Sequence, residues 1–310
     1  MLERILVATD GSSGSNGAVR LAQRLADRDG SRIDAVAVYT PAPSARTGPS
    51  GCHSDSRPGE QEPGRMRTAA AERARNLGAP AVVASLRVVS GPVPSSIVRE
   101  AVAAESSIIL VGIGGHELLD RWLGTETALR VAETAHVPVL AVPPGAGHLP
   151  VRALVGVDFS PFCEDAARTA AALLGPGGEL HLVHAAARPM VHQGEWVTTR
   201  TAFAEDAERE MAPLKAELEA SYGVAVHLHA LDGDPVRELL DLAGRLPADL
   251  IAAGSHGRGF LGRLLLGSVS TGLLRRAACP VLLAPPRGLP AEPGHAFQEH
   301  SGAEAAEVAP

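Results

Sequence analysis

The 310-residue sequence predicts an α/β fold made of two tandem domains, each with a five-stranded parallel sheet and helices on both faces. Three observations favour this fold class. Short apolar segments alternate with helical patterns along the chain, which is typical of strands joined by helical crossovers. The same elements recur in the same order in the two halves. Aromatic residues make up only 3% of a chain that is 45% hydrophobic, so alanine, valine and leucine must build the cores, as in sheets covered on both faces.

An internal repeat supports the two-domain organisation. Five segments of the first half match five segments of the second half in the same order: 4–12 with 152–160, 33–38 with 180–185, 91–97 with 233–239, 109–112 with 251–254, and 137–144 with 279–286. Matches of this number and order indicate a tandem duplication. We therefore predict one domain over residues 1–146, a second over residues 150–287, and a disordered tail over residues 288–310, with a short linker at 145–150 that leaves the domains in contact.

The elements of the second half follow from its apolar runs and helix signals. Strands are expected at about residues 153–157, 179–185, 224–230, 249–254 and 280–284. Helices are expected at about residues 161–174, 202–221, 235–245 and 268–278. Ser160 and Pro161 favour a helix start, because serine is a good N-cap and proline fits the first helical position. Pro213 is expected to kink or break the second of these helices. Strands separated in this way predict right-handed crossovers and a parallel sheet.

Two segments lack this pattern. Residues 41–64 are rich in proline, glycine and serine and have no apolar periodicity, which predicts a flexible insertion between the second strand and the second helix. The segment that follows the last strand, from residue 286 onward, is dominated by glycine, proline, glutamate and alanine and is expected to be disordered.

Composition also limits the classes of partner. The net charge of −7 gives no electrostatic reason to expect binding to nucleic acid. No apolar stretch is long enough to span a membrane, and the N-terminus leads directly into a strand, so we expect neither a membrane span nor a signal peptide. Cys52, Cys163 and Cys279 share no metal-binding or redox spacing. We therefore expect reduced thiols, no metal site and a cytoplasmic protein.

The most informative motif has the form Gly-x2-Gly-x9-Gly-Ser and comprises Gly254, Gly257, Gly267 and Ser268. It follows a predicted strand and leads into a predicted helix. Glycine allows backbone N–H groups to turn toward a ligand without an obstructing Cβ. The helix start adds unpaired N–H groups at the positive end of the helix dipole. The motif therefore predicts a phosphate-binding loop, although it is neither a Walker A loop nor a dinucleotide-binding fingerprint.

The position of this motif in the predicted sheet indicates where the ligand would bind. Ligands of open parallel sheets bind beyond the carboxyl ends of the strands. Asp10, Asp158 and the loop beginning at Gly254 all come directly after predicted strands. We therefore expect these three features to be able to meet at one site.

The repeat and the glycine motif together make the chain similar to a tandem universal stress protein, over about residues 2–144 and 151–286. The resemblance implies the adenine nucleotide alpha hydrolase-like fold of that family, and the motif matches the ATP-binding signature of its nucleotide-binding members. It also implies a role in survival under stress. Some family members hydrolyse ATP slowly, and many dimerise through their last strands.

The resemblance also assigns candidate site residues. Asp158 matches the acidic residue on the adenine and ribose side, and Ala185 matches a position whose backbone holds the adenine edge. His256 lies inside the loop, within reach of a phosphate or ribose oxygen. The remaining positions match the phosphate-binding segment: Gly254, Gly257, Gly267, Ser268, Val269 and Ser270. Two simpler interpretations remain open, since an aspartate after a strand can merely stabilise a turn and a loop histidine can merely be solvated.

The first repeat departs from the motif, so we expect a weaker nucleotide site there. The corresponding positions are Asp10, Val38, Gly112, Gly115, Gly124 and Thr125. Only eight residues separate Gly115 from Gly124. In addition, Glu117, Asp120 and Glu126 bring carboxylates to a loop and helix start where phosphates would lie, and these would compete with an anionic ligand.

Three hypotheses for function follow. In the first, the chain is an ATP-binding regulatory protein, with Mg²⁺ as an optional companion of the nucleotide, that acts on an unidentified protein partner. In the second, it is a slow ATPase or a nucleotidyl-transfer enzyme, although the metal-holding carboxylates that such chemistry needs are not evident, so we expect at most weak hydrolysis. In the third, it is an adaptor whose strands at 137–142 and 280–284 pair across a pseudo-two-fold axis, as a pseudo-dimer that can also form a homodimer.

Overall fold

A computed structural model describes most of the chain. It covers residues 2–41, 58–114, 118–186, 196–256 and 266–285. The following description refers to these residues.

The first half contributes five strands and five helices to the described structure. In chain order they are β1 (Arg4–Ala8), α1 (Asn16–Asp29), β2 (Arg32–Tyr39), α2 (Pro58–Asn76), α3 (Pro80–Ser85), β3 (Arg87–Ser90), α4 (Val93–Ala103), β4 (Ile108–Gly112), α5 (Leu118–Thr134) and β5 (Val139–Val142). A short 3₁₀ turn at Ser13–Ser15 precedes α1.

The second half repeats this order with one helix fewer among the described residues. Its elements are β6 (Arg152–Gly156), α6 (Pro161–Leu174), β7 (Glu179–Ala186), α7 (Trp196–Tyr222), β8 (Ala225–Asp232), α8 (Pro235–Arg245), β9 (Leu250–Gly254), α9 (Ser268–Arg276) and β10 (Val281–Ala284). These bounds agree with the predicted strands to within about two residues.

All ten strands form one sheet, in the order β3-β2-β1-β4-β5-β10-β9-β6-β7-β8. Neighbouring strands are parallel within each half, and β5 and β10 pair in antiparallel fashion with Leu140 opposite Leu282. The predicted α/β class with parallel sheets is confirmed. The pairing of the last strands, which the adaptor hypothesis predicted, joins the two five-stranded sheets into one.

The two faces of this sheet carry separate apolar cores. Strand residues alternate between the faces, so Ile5 and Val7 pack with α1, α2 and α3, whereas Leu6 packs with α4 and α5. Helices α6 and α7 extend the first core, and α8 and α9 extend the second. Each core therefore runs across both halves of the chain.

Two predictions of local structure were wrong in part. Helix α2 begins at Pro58, so residues 58–64 of the predicted flexible insertion are helical, while residues 42–57 lie outside the described residues. Helix α7 runs without interruption past Pro213, so the proline does not break it, and the kink that was the other expected outcome stays a prediction. The predicted disordered tail, from residue 286 onward, lies outside the described residues.

Candidate functional site

The second half contains a cavity of about 360 Å³ at the carboxyl ends of β6, β7 and β9. Its lining includes every predicted site residue of this half that the structure describes: Asp158, Ala185, Gly254, His256, Gly267, Ser268, Val269 and Ser270. Gly257 lies outside the described residues. Sequence positions more than a hundred residues apart thus meet in one place, because parallel strands present their carboxyl ends at the same edge.

Asp158 stabilises the turn that leads from β6 into α6. Its Oδ1 atom accepts hydrogen bonds from the backbone N–H of Ser160 at 3.1 Å and from the hydroxyl of Ser160 at 2.6 Å. The turn-forming role that the sequence left open is therefore present. The same side chain lines the cavity, so the turn also holds the carboxylate at the ligand-facing edge.

His184 is a cavity residue to which the sequence assigned no role. Its Nδ1 atom lies 2.8 Å from the carbonyl oxygen of Val157, which requires the proton on Nδ1. The ring contacts Phe159, with ring centres 4.5 Å apart, and Phe203, at 5.5 Å. These contacts fix the end of β7 and so position the neighbouring Ala185.

Pro235 and Leu239 of α8 also line the cavity and were not predicted as site residues. They belong to residues 233–239, which the repeat matches with residues 91–97. This match is the sequence signal that could have identified them, because it places a helix start at the same point of both halves. Together with Val183 these side chains form an apolar wall.

Gly254 is explained by packing. A Cβ atom at this position would lie 2.6 Å from Cβ of Phe162 and 3.0 Å from its carbonyl carbon. Such distances are too short for any side chain, so the first turn of α6 can approach the end of β9 only if residue 254 is glycine. This requirement of the fold is independent of any ligand.

Gly267 has a different environment. It is the N-cap of α9, its φ is −59°, and no side chain caps the helix there. Against the residues that the structure describes, a Cβ atom would make only ordinary contacts, the nearest at 3.5 Å from the carbonyl oxygen of Ser255. Packing against these residues therefore does not require glycine at 267. A close approach by a ligand would explain it, because an added side chain would fill the space in front of the helix start.

The first turn of α9 is tied to the end of β9. The N–H of Gly267 donates to the carbonyl oxygen of Ser255 at 2.9 Å, and the hydroxyl of Ser270 donates to the carbonyl oxygen of Gly254 at 2.7 Å. The N–H groups of the first turn have no partner within the helix. They lie at the cavity with the positive end of the helix dipole, which is an arrangement suited to anions.

His256 contributes a neutral ring. Its Nδ1 atom lies 2.8 Å from the hydroxyl of Ser255, and the ring meets the edge of Phe162 at 6.2 Å between centres. Burial lowers the pKa of His256 below its usual value. At neutral pH the ring can therefore exchange hydrogen bonds with a ligand but adds no positive charge.

The two described thiols of the second half lie in surroundings that disfavour the thiolate form. Cys163 is buried and its Sγ donates to the carbonyl oxygen of Ser160 at 3.0 Å, while Cys279 precedes β10. Burial raises the pKa of both thiols to about 11. Both therefore stay protonated at neutral pH, and Cys52 lies outside the described residues.

The first half has a matching cavity, also of about 360 Å³, at the carboxyl ends of β1, β2 and β4. Three of the positions assigned to the weaker site, Asp10, Val38 and Gly112, line it. Asp10 and Asp158 therefore lie in separate cavities, and the expectation that they meet at one site was wrong. The antiparallel pairing of β5 with β10 keeps the two sets of strand ends apart.

The phosphate-side positions of the first half are not arranged as predicted. Helix α5 begins at Leu118, so Gly124 and Thr125 lie within the helix and not at its start. Thr125 is buried and does not line the cavity, whereas Thr127 does. Gly115 lies outside the described residues.

Two properties of the described residues concern metal ligation and membrane insertion. Within the described ranges, no group of three or more His, Cys, Asp or Glu side chains could hold a metal ion. In the same part of the chain, no helix combines the length and the apolar character that crossing a bilayer requires.

Fold and cavities together define a class: a two-domain α/β protein with a ligand-sized cavity beyond the parallel strands of each half. Comparison with known proteins is more specific. The model of the universal stress protein family matches residues 1–143 and 151–285. The chain therefore belongs to the universal stress protein family, in a tandem form.

Individual relatives share this arrangement to different extents. A universal stress protein of Mycolicibacterium smegmatis is 30% identical over 297 residues, which is 91% of this chain and 97% of that protein. One from Mycobacterium tuberculosis is 33% identical over 210 residues, 65% of this chain and 68% of the relative. A match to a universal stress protein of Methanocaldococcus jannaschii, 34% identical over 91 residues, spans only 53% of that protein.

A solved structure supports the fold over the whole chain. The crystal structure of a universal stress protein from Archaeoglobus fulgidus covers 92% of this chain and 97% of its own, with a TM-score of 0.62 and 22% identity. At this identity the likeness concerns the fold.

Proposed function

We propose that the chain is an ATP-binding stress-response regulator of the cytoplasm, with the nucleotide held mainly in the second half. The observation that carries the proposal is the start of α9. There, N–H groups that have no partner within the helix meet the cavity beside Gly267, a glycine that packing against the described residues does not require. The family resemblance supplies the identity of the nucleotide.

The residues of the cavity suit the parts of ATP. The cavity volume of about 360 Å³ falls within the usual range for small-ligand sites. The apolar wall of Val183, Pro235 and Leu239 suits a planar base, and the backbone of Ala185 at the end of β7 suits its polar edge. Asp158 can accept hydrogen bonds from ribose hydroxyls.

The phosphates would lie at the opposite end of the cavity. The N–H groups of Ser268, Val269 and Ser270 would bind them, aided by the helix dipole. His256 can add a neutral hydrogen bond. Mg²⁺ would accompany the phosphates from solution, since no described cluster of side chains supplies a metal site of its own. Since the described residues include no cluster of carboxylates that could hold a catalytic metal, we expect hydrolysis to be weak at most.

A regulatory role is supported by the position of α9 between the cavity and the first half. The first turn of α9 borders the cavity, and Arg275 in its last turn lies 3.4 Å from Glu126 of α5. A nucleotide that bound the first turn would therefore act on a helix that contacts the other domain. We propose that this contact couples nucleotide occupancy to the binding of a regulatory protein partner.

Calorimetric titration with Mg·ATP tests the proposal. We expect one ATP per chain and loss of binding in Gly267→Asp, because a carboxylate there would occupy the phosphate position. Aspartate is a favourable N-cap, so the variant should remain folded. Gly124→Asp makes the same substitution at the position that the repeat aligns with Gly267, but inside α5 and away from the second-half cavity; it is the control and should bind ATP normally. Absence of ATP binding by the wild type, or normal binding by Gly267→Asp, would contradict the proposal.

A further inference from the structure

We propose that the cavity of the first half is a nucleoside site, which accepts an uncharged purine nucleoside such as adenosine and excludes nucleoside triphosphates. The inference goes beyond the proposed function and rests on it in one respect: the second-half cavity serves as the reference for a nucleotide site. Two features of the first half carry it: a base side whose lining matches that of the second half, and a phosphate side whose backbone donors are already used.

The two cavities match position by position on the base side. The equivalent lining residues are Asp10 and Asp158, Val36 and Val183, Val38 and Ala185, Val93 and Pro235, Ile97 and Leu239, and Val111 and Ala253. Each pair lies at the same point of the repeat. Both cavities thus combine an apolar wall with one carboxylate at the end of the first strand of its half. A base and sugar bound in either cavity would therefore contact equivalent residues.

The phosphate side differs in its backbone. In the second half, α9 begins at Ser268, so the N–H groups that follow Gly267 are the unpaired first turn of a helix. In the first half, α5 begins at Leu118, seven residues before Thr125. Within a helix each N–H bonds to the carbonyl four residues earlier, so the N–H groups of Thr125, Glu126 and Thr127 are already used. The donors that would hold phosphates are therefore unavailable at this place.

The charge of the lining does not distinguish the two cavities. Each has one acidic side chain and no arginine or lysine among its described lining residues, with Asp10 in the first cavity and Asp158 in the second. The exclusion of triphosphates therefore depends on the backbone of the phosphate side.

Hydroxyl groups suit the sugar of such a ligand. The 3₁₀ turn Ser13–Ser15 and Thr9 line the cavity, and the hydroxyl groups of Thr9 and Ser15 lie 2.8 Å apart. Asp10 accepts from the N–H of Ser12 at 2.9 Å, which leaves its carboxylate lining the cavity in a fixed position. A ribose offers donors and acceptors of the kind that this surface can bind.

The decisive measurement is adenosine binding to protein saturated with Mg·ATP, by calorimetry or equilibrium dialysis. We expect one further adenosine per chain, because ATP fills only the second-half cavity. Asp10→Asn should weaken this binding about tenfold, the loss expected for a hydrogen bond to a charged group. Asp158→Asn is the matched control: it should leave the adenosine site intact and weaken ATP binding instead. Both substitutions keep the Oδ1 acceptor that each turn uses.

A graft tests the closed phosphate side directly. Replacing residues 113–127 by the sequence of residues 255–270 should open a helix start in the first half and raise the ATP stoichiometry from one to two. Failure of ATP-saturated protein to bind adenosine, or two ATP molecules on the wild type, would overturn the inference. If ATP does not bind at all, the proposed function fails, but adenosine binding that is lost in Asp10→Asn and kept in Asp158→Asn would still support a nucleoside site.

Discussion

Phe159 adopts a backbone conformation that usually belongs to glycine. Its φ is +59°, and Gly11, at the equivalent position of the first half, has φ +77°. For a residue with a Cβ this conformation costs about 1–2 kcal/mol. The contact of the Phe159 ring with His184, at 4.5 Å between centres, offsets part of this cost and holds the end of β7. Strain at this position lies one residue from Asp158, within the turn that borders the proposed ATP site.

Two substitutions separate the strain from the ring contact. Both Phe159→Ala and Phe159→Gly remove the ring, but only glycine relieves the backbone. We therefore expect the alanine variant to be less stable than the glycine variant by about 1 kcal/mol, contrary to the order in an ordinary helix or strand. Urea denaturation measures the difference in the free energy of unfolding. Equal stabilities, or a more stable alanine variant, would show that residue 159 is not strained.

At the scale of elements, strands β7 and β8 bring three histidines together on one face of the sheet. Nδ1 of His181 lies 2.9 Å from Nε2 of His229, and the ring of His227 stacks on that of His181 with centres 4.8 Å apart. Nε2 of His181 is buried and has no hydrogen-bond partner among the described residues; the nearest carboxylate oxygen, of Glu179, lies 4.0 Å away. Burial, together with the two neighbouring histidines, lowers the pKa of His181 to about 4, and burial also lowers that of His229.

This cluster predicts sensitivity to acid. The folded-state pKa of His181 lies below the value of about 6.5 for an unfolded chain, so below pH 6.5 the unfolded state binds more protons. Stability is therefore retained above pH 6.5 and is lost as the pH falls from 6.5 toward 4, by roughly 3 kcal/mol for this group. Unfolding free energies measured across that range should show the loss in the wild type and a flatter profile in His181→Leu.

A second histidine provides the control for this experiment. His136 of the first half has a pKa lowered by burial alone. His136→Leu should keep most of the wild-type acid sensitivity, because the histidine cluster remains intact. Identical pH profiles for the wild type and His181→Leu would contradict the assignment to the cluster.

At the scale of the molecule, a side chain of α1 joins the two halves on one face of the sheet. The guanidinium of Arg28 donates to the carbonyl oxygens of Leu173 at 2.7 Å, Leu174 at 3.1 Å and Ala172 at 3.1 Å. These carbonyls form the last turn of α6, where the helix leaves them unpaired. Asp29 holds the guanidinium from the other side, at 2.6 Å. The contact thus places a positive charge at the negative end of the α6 dipole.

Removal of this contact should weaken the molecule as a whole. We expect Arg28→Ala to lower the free energy of unfolding by about 2 kcal/mol, because three carbonyls of a helix end lose a charged donor. Because each core spans both halves, unfolding should remain a single transition. Arg32→Ala, which removes a largely exposed arginine, is the control and should change stability little. An unchanged midpoint for Arg28→Ala in denaturant would contradict this role.

The sequence predicted elements with strong local signals and missed those decided by distant contacts. Apolar runs bounded by turns placed β6 to β10 well, and Ser160-Pro161 placed the start of α6. The start of α5 was predicted near Thr125 because the repeat aligns Gly124 with Gly267. In the structure the helix already begins at Leu118, so residues 118–124 are helical. Asp10 and Asp158 lie apart because β5 pairs with β10 at the centre of the sheet. The residues next to either aspartate do not indicate which strands pair there.

The antiparallel pairing of β5 with β10 has a consequence for how the two cavities can differ. When two identical chains pair through such strands, every substitution appears in both binding cavities at once. Here both strands belong to one chain, so a change such as the early start of α5 alters one cavity and leaves the other intact. Every molecule therefore contains one cavity of each kind. The edges of β5 and β10 are also occupied by their pairing within the chain, so they are not available for pairing with another copy.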